Sequence, residues 1–122
     1  MAYVDGFVIA VPKKNLATYR SIARRAGKVW REMGCLDYKE CVGDDLAIKG
    51  VYSFTKVARV KKGETVVFSW ITYKSRAHRD AVNKKVMADP RMLKMMQAMR
   101  EKPPFDMHRM AYGGFKVMVD NP

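Results

Sequence analysis

The segment Glu64–Lys74, ETVVFSWITYK, most constrains what this chain can fold into, because it alternates like a β-strand yet is apolar on both sides. Successive side chains of a strand point to opposite faces of the sheet. One face receives Val66, Phe68 and Trp70, and the other receives Val67, Ile71 and Tyr73, with only Ser69 polar between them. Residues 3–11 have the same character. Both faces of the resulting sheet need a cover, and the alternation leaves open which set of residues faces which cover.

Two helices are predicted between the strands. The first follows Pro12, with Asn15 as a candidate N-cap and Gly34 at the position of a C-terminal glycine. Its apolar stripe recurs at helical spacing and consists of Leu16, Tyr19, Ile22, Ala23, Ala26, Val29, Trp30 and Met33. The second helix begins after Ser75, another suitable N-cap, and is interrupted at Asp89-Pro90 before a shorter continuation. Such amphipathic helices pack with one side on a sheet.

The order of elements predicts the fold class. It runs strand, helix, strand, irregular arm, strand, helix and strand, with the second strand in residues 36–42 and the last in residues 109–119. Residues 43–63 are the irregular arm, in which VYSFTKVARV is predicted to hold a short strand or an arm of its own. We therefore predict an α+β fold, a ferredoxin-like antiparallel sheet with helices on one face, as a single domain over residues 1–122.

This topology covers only one face of the sheet. Both crossovers are right-handed, so both helices lie on the same side. The other side would expose an apolar patch larger than a monomer normally tolerates. The simplest cover is a second copy packed sheet against sheet, and we predict a homodimer formed through the sheet.

Composition favours a soluble, cytoplasmic, basic protein. The net charge is +12, no apolar run is long enough to span a membrane, and the start MAYVDGFVIAVPKK is not ordered like a signal peptide. Cys35 and Cys41 flank an extended segment that separates them by roughly 20 Å, too far for a disulfide, and we interpret both as small buried residues. His78 and His108 have no carboxylates at ligand spacing, so we predict no metal and no cofactor.

A carboxylate in the middle of an apolar strand marks a candidate ligand site. Asp5 lies on the Tyr3–Phe7 side of the first strand, where a buried carboxylate must be paired or have a raised pKa. Arg109, at the start of the last predicted strand, is a candidate partner. The further candidates are Tyr38, Glu40, Trp70 and Tyr112. They could form an aromatic pocket with a carboxylate, although ordinary sheet packing is the first explanation for each of them.

Two other local patterns have structural and functional interpretations. Seven of the ten methionines fall between Met87 and Met110, which indicates adaptable packing or a pliable pocket wall. The glycine pair in YGGF predicts a bulge or a close backbone approach in the last strand.

The first helix also carries a line of positive charge. Arg20, Arg24, Lys28 and Arg31 fall close together on the side opposite the apolar stripe. A solvated helix face explains this line, and binding of RNA or another polyanion is the functional alternative. No aromatic sheet motif or other nucleic-acid signature accompanies it, so nucleic acid ranks second among the partners.

Four stretches together resemble one protein family. YVDGFVIAVPKKN, VVFSWITYKS, RDAVNKKVMADPRM and PFD through RMAYGGF are similar to the YbaA-like family of small bacterial proteins, a family of unknown function. The resemblance implies membership of the dimeric α/β-barrel superfamily, whose ferredoxin-like subunits pair through their sheets. It supplies no catalytic residues.

Relatives in the wider superfamily include small monooxygenases, isomerase-like and chlorite-dismutase-like enzymes, and ligand-binding regulators. By this analogy, with the aromatic strands and Asp5, we predict a small-molecule pocket in a dimeric barrel, with cofactor-free oxidation or isomerisation as the candidate chemistry. Polyanion binding is the alternative, and whether the protein is an enzyme stays open.

Overall fold

The computed structural model describes all 122 residues. Its strands are β1 (Tyr3–Pro12), β2 (Asp37–Val42), β3 (Glu64–Tyr73) and β4 (Ala111–Lys116). They form one antiparallel sheet in the order β2-β3-β1-β4. The helices are α1 (Leu16–Glu32), α2 (Phe54–Val57), α3 (Arg76–Ala88) and α4 (Pro90–Glu101). Short 3₁₀ turns occupy Lys13–Asn15 and Met107–Arg109.

The predicted fold class is confirmed: α1, α3 and α4 cover one face of a four-stranded antiparallel sheet. The odd-numbered residues of β1 and β3 face the helices, and together with the α1 stripe they form the core. Tyr73, Val11, Val82 and Val86 are among its most deeply buried side chains. Cross-strand pairing places Asp5 between Ile71 on β3 and Gly114 on β4, in the centre of this helix-covered face.

Most of the predicted helix boundaries rest on the expected caps. The Ser75 hydroxyl accepts the His78 N–H at 3.0 Å, and the Asp89 carboxylate accepts the Arg91 N–H at 2.8 Å, with Pro90 in the first turn of α4. Gly34 has a φ of 112°, a left-handed conformation that glycine adopts without strain. Asn15 occupies the N-cap position of α1 but does not cap it, because its amide donates to the Pro104 carbonyl at 2.9 Å.

The opposite, open face of the sheet is only partly covered, and the cover is the arm 43–63. The arm holds the short helix α2, and no strand forms in it. Ala58, with Leu46 and Val60, packs on Ala10 and Val66. The rest of the face stays exposed: Phe68 retains 42% of its accessible surface and Phe115 retains 62%. Val4, Val8, Phe68, Trp70 and Phe115 line a groove of about 600 Å³ there.

The two cysteines are free thiols in different surroundings. Cys35 is buried after α1, as predicted, whereas Cys41 is exposed. The prediction that both are buried is therefore wrong for Cys41, since it lies on β2, an edge strand that has a neighbour on one side only.

Candidate functional site

A cavity of about 410 Å³ lies between the helix-covered face of the sheet and the helices. Residues of α1 form one wall and the sheet forms the floor. The remaining wall contains the seven methionines that fall between residues 87 and 110: Met87, Met92, Met95, Met96, Met99, Met107 and Met110. Flexible, polarizable methionine side chains adapt to differently shaped neighbours. The methionine cluster in the sequence therefore marks a pocket wall.

Asp5 is the buried carboxylate of this cavity, with 1% of its surface exposed. Arg79, in the first turn of α3, donates Nη1–H to Asp5 Oδ1 at 2.8 Å and to the Tyr112 hydroxyl at 2.9 Å. The same guanidinium lies 5.0 Å from the centre of the Tyr3 ring, and its Nε–H bonds to Asp80 at 2.8 Å. Asp5, Arg79 and Tyr112 thus form a polar cluster, and two of its members, Asp5 and Tyr112, line one end of the mainly apolar cavity.

Arg109 is not the partner of Asp5, so that expectation is wrong. Its guanidinium forms two 2.9 Å hydrogen bonds to Glu64, at the start of β3, and a third to the Arg59 carbonyl of the arm. The register explains the difference: Gly114 lies opposite Asp5, and Arg109 is five residues earlier, roughly 16 Å along an extended chain. Arg109 therefore ties the arm to the far end of the sheet.

Burial raises the pKa of Asp5 above its ordinary value, even though the charge of Arg79 and hydrogen bonds from Tyr112 and Arg79 act in the opposite direction. Removal from water penalises the ionised carboxylate more than a single partly exposed guanidinium compensates. The pKa of the Tyr112 hydroxyl is also raised, by burial first and then by the charge of Asp5. Burial thus favours the protonated form of both groups more than water would.

A second polar cluster closes the other end of the cavity. Glu40 on β2 accepts the Tyr19 hydroxyl on one carboxylate oxygen and the Tyr38 hydroxyl on the other, each at 2.7 Å. Burial, followed by the nearby charge of Glu40, raises the pKa of both tyrosines far above the ordinary value. Both hydroxyls therefore remain donors. The Tyr38 ring packs directly over Gly27 of α1, where a Cβ atom would come within 2.7 Å of it.

An outer cleft of about 730 Å³ lies on the far side of this cluster, between α1 and β2. Its apolar lining includes Leu16, Val42 and Val67. The predicted basic line, Arg20, Arg24, Lys28 and Arg31, lies along its α1 side. Arg31 is engaged locally, because its guanidinium donates to the carbonyls of Cys35 and Leu36. The cleft and the inner cavity share four lining residues: Tyr19, Ala23, Tyr38 and Glu40.

The structure thus brings some of the predicted site residues together and separates others. Asp5 and Tyr112 meet at one end of the cavity, and Tyr38 and Glu40 meet at the other. Trp70 faces the open side of the sheet, where its ring centre lies 5.6 Å from that of Phe68 and its indole N–H points to Asp37 at 3.4 Å. Arg109 lies outside both clusters.

Sequence reasoning missed Arg79 and Tyr19 as members of the site. Arg79 had a signal: the first turn of α3 contains no acidic residue, and a cation there opposes the helix dipole, so it needs another partner. Tyr19 is the one member of the α1 stripe with a hydroxyl, and a buried hydroxyl needs an acceptor.

Neither histidine takes part in these clusters. The His78 Nδ1 atom accepts the backbone N–H of Lys74 at 3.0 Å, which gives this side chain a structural role at the start of α3. Nowhere in the chain do three His, Cys, Asp or Glu side chains gather as metal ligands would. None of the helices is both long and apolar enough to cross a membrane.

Comparison with known sequences identifies the family. Residues 2–107 match the model of the family described as "Protein of unknown function (DUF1428)". The chain is 43% identical over 120 residues to the uncharacterized protein YbaA of Escherichia coli K12, covering 98% of this chain and 99% of that protein. YbaA of Shigella flexneri matches to the same extent. The resemblance to the YbaA-like family predicted from the sequence is confirmed.

Comparison with solved structures supports the fold. SnoaB, a cofactor-independent oxygenase from Streptomyces nogalater, superposes with a TM-score of 0.60 at 14% identity, over 99% of this chain and 97% of SnoaB. A NIPSNAP domain protein from Burkholderia xenovorans gives 0.58 at 12% identity, over 98% of each chain. A dimeric ferredoxin-like protein from an uncultured marine organism gives 0.57 at 11% identity, over 99% of this chain and 100% of that one. The chain therefore belongs to the DUF1428 family, is related to YbaA over nearly its whole length, and has the fold of the dimeric α/β-barrel proteins.

Proposed function

We propose that this protein is a homodimeric α/β barrel that binds a small, mainly apolar molecule in the inner cavity and exchanges a proton with it through Asp5. The observation that carries the proposal is a buried carboxylate with a raised pKa in the lining of a mainly apolar cavity. Buried carboxylates are costly, and groups whose pKa is shifted by burial cluster at functional sites.

The dimensions of the cavity suit such a ligand. A volume of about 410 Å³ falls within the range of small-molecule sites, which are mostly apolar with a few convergent polar groups. The methionine wall accommodates ligands of varied shape, while the polar clusters at the two ends orient the bound molecule.

Proton transfer is the chemistry that these residues support. Ionised Asp5 accepts a proton from an acidic carbon of the ligand, and Tyr112, which lines the cavity and is held by Arg79, offers a hydrogen bond to the oxygen on which negative charge develops. Isomerisation and cofactor-free oxidation of an activated carbon both begin with this step. SnoaB, with the same fold, is a cofactor-independent oxygenase, and this analogy supports the proposal.

The test is hydrogen exchange on a neutral bicyclic ketone. In D₂O, wild-type protein should accelerate the replacement of the α-hydrogens of 2-tetralone by deuterium, followed by NMR. Asp5→Asn should lower the added rate by roughly 100-fold or more, the usual contribution of a general base. Asp120→Asn, an exposed carboxylate near the C-terminus, is the matched control and should exchange like wild type. Equal rates in wild type and Asp5→Asn would refute Asp5 as the base.

The homodimer is supported by the open face of the sheet. Covering about 400 Å² of apolar surface on each subunit, a typical size for a functional patch, releases about 20 kcal/mol at about 25 cal/mol per Å². This gross gain exceeds the roughly 4–15 kcal/mol that association costs in lost freedom of motion. A second sheet packed on this face is the arrangement that the fold comparison favours.

RNA or another polyanion is the second candidate ligand, and one observation favours it: Arg20, Arg24 and Lys28 take part in no ion pair. Fluorescence anisotropy with a 20-nucleotide oligouridylate tests it. Binding should weaken steeply as salt rises and should be lost in a variant with all three cations changed to Gln. Absence of binding at 50 mM salt would exclude this candidate.

A further inference from the structure

We infer that the ligand of the inner cavity is an acid, with an apolar body and an anionic group, and that it enters through the outer cleft past Tyr38. Arg20, Arg24 and Lys28 bind the anionic group at the cleft. This inference rests on the proposed function, because it names the class of molecule that the inner cavity takes.

The connection between the two spaces is the first step of the argument. The outer cleft and the inner cavity share Tyr19, Ala23, Tyr38 and Glu40, so the two spaces adjoin at these four residues. The partition lies at the α1–β2 seam, where the sheet ends at the edge strand β2. A molecule that moves from the outer cleft into the inner cavity therefore passes the two tyrosines.

Tyr38 is the movable part of that partition. It lies on β2, which is hydrogen-bonded to β3 alone, and edge elements with few partners open at low free-energy cost. Its ring occupies the space that a side chain at Gly27 would fill. The ring also packs beside Trp30, and its hydroxyl makes one hydrogen bond, at 2.7 Å to Glu40. Tyr19 is held in the core of α1 and stays in place.

The charges around the cleft favour an anion. Arg20, Arg24 and Lys28 recur every four residues, so their Cα atoms rise by about 6 Å per step along one side of α1. None of them forms an ion pair, and all three are exposed. Glu40 is the only carboxylate in the lining of the cleft, and it accepts both tyrosine hydroxyls. The lining therefore has a net positive charge, which attracts and orients anions.

The mixed lining distinguishes a small acid from a polyanion. Eight of the fourteen lining residues of the cleft are hydrophobic, and an apolar floor below a cationic side suits a molecule with an apolar body and one acidic end. A nucleic-acid backbone would use the cations and leave this floor and the inner cavity unoccupied. The geometry thus favours the small acid for the same three residues.

The first experiment compares two probes with the same body. Isothermal titration calorimetry would measure binding of 2-naphthoate, an anion, and 2-naphthamide, its neutral counterpart. We expect 2-naphthoate to bind about tenfold more tightly at low salt, the combined effect of three exposed charge contacts. This advantage should shrink at 0.5 M NaCl because salt screens exposed charges.

Matched variants test which cations cause the tighter binding of 2-naphthoate. The triple variant Arg20→Gln, Arg24→Gln, Lys28→Gln should remove the advantage of 2-naphthoate and leave the affinity for 2-naphthamide unchanged. The control triple Arg25→Gln, Lys84→Gln, Lys85→Gln removes the same number of exposed charges away from the cleft and should keep the advantage.

Entry past Tyr38 has its own readout. Tyr38→Phe removes the hydroxyl bond to Glu40 and should raise the association rate of 2-naphthoate several-fold in stopped-flow measurements. Tyr52→Phe, an exposed tyrosine of the arm, is the control and should not change it. An unchanged rate in Tyr38→Phe would overturn the entry route.

The outcomes separate this inference from the proposed function. Equal affinity of wild type for both probes would overturn the acid class while leaving the cavity as a binding site. Met96→Phe, which narrows the inner cavity, should weaken both probes, and Leu93→Phe, exposed on the same helix, should weaken neither. If neither probe binds, or if Met96→Phe leaves the affinity for both probes unchanged, the inner cavity is not the binding site. Either result would overturn this inference as well.

Discussion

The two faces of the sheet are built from the same strands but differ in the side chains they present and in how those side chains are covered. The helix-covered face contains Asp5, Ser69, Glu40 and the Tyr73 hydroxyl, and no buried side-chain nitrogen or oxygen in the protein lacks a hydrogen-bond partner. The open face is mainly apolar, and the protein's own arm covers one end of it. Because successive residues of a strand point to opposite faces, the same strands place the buried polar groups on the helix-covered face and mainly apolar side chains on the open face.

The difference has a physical reason. A buried polar group needs a hydrogen-bond partner in a defined direction. On the helix-covered face, the fold itself supplies these partners from side chains held in fixed positions. Apolar contact is non-directional, so a second surface of suitable shape can complete the open face. This contrast places the candidate site on the first face and the proposed dimer contact on the second.

The largest effect is expected from breaking the Asp5–Arg79 ion pair on the helix-covered face. Arg79→Met removes the cation beside Asp5 and should lower the free energy of unfolding by about 3–5 kcal/mol at pH 7, because a buried carboxylate is left without its partner. Urea unfolding measures this. The deficit should shrink as pH falls, because protonation removes the uncompensated charge. Arg76→Met, exposed on the same helix and without an ion pair, is the control; an equal loss there would contradict the explanation.

The corresponding change on the open face acts on assembly. Phe115→Ser removes an exposed ring from each subunit, about 1.5 kcal/mol each, and should raise the dimer dissociation constant about 100-fold. Light scattering coupled to gel filtration would follow the shift from twice the 14.0 kDa chain mass towards 14.0 kDa. Leu93→Ser, exposed on α4, should leave the dimer intact. A wild-type monomer at micromolar concentration would refute the proposed contact.

Gly113 and Gly114 are neighbours in β4, and substitutions at them allow the two faces of the sheet to be compared within one strand. A Cβ at Gly114 would come within 2.3 Å of the Tyr3 hydroxyl, whereas a Cβ at Gly113 meets only the Phe115 ring at 3.9 Å. Gly114→Ala should therefore cost about 1–3 kcal/mol of stability by overpacking, measured by urea unfolding. Gly113→Ala, the matched control, should stay within about 0.5 kcal/mol of wild type. The reverse order would mean that the register of β4 is different.

The smallest effect concerns the tie between the arm and the far end of the sheet. Hydrogen bonds from Arg109 lower the pKa of Glu64 to about 2, so ionised Glu64 contributes stability above its unfolded pKa of about 4.3. That contribution is lost as pH falls through the folded value. Glu64→Gln should thus be slightly less stable than wild type at pH 7, and thermal unfolding at a series of pH values should show the difference vanish towards pH 2. Glu101→Gln, exposed and unpaired, should show no such convergence.

Much of the fold could be predicted because its signals are local. The alternation in β1 and β3, the stripe of α1 and the caps at Ser75 and Asp89 each involve residues a few positions apart, and each is present in the structure. The arm was harder, because VYSFTKVARV has strand-like composition but turns into the short helix α2, whose N-cap Ser53 accepts the Thr55 N–H.

The candidate site also combines features that the sequence predicts with features that only the tertiary structure sets. The sequence by itself determined that a carboxylate would sit in an apolar strand and that methionines would cluster in the C-terminal half, since both are properties of single segments. Only the tertiary structure decided that Asp5 faces the helices, that Arg79, 74 residues away, is its partner, and that Tyr19 and Tyr38 share Glu40. Those contacts depend on strand register and helix placement, which are decided by the packing of the whole chain and not by any one segment of it.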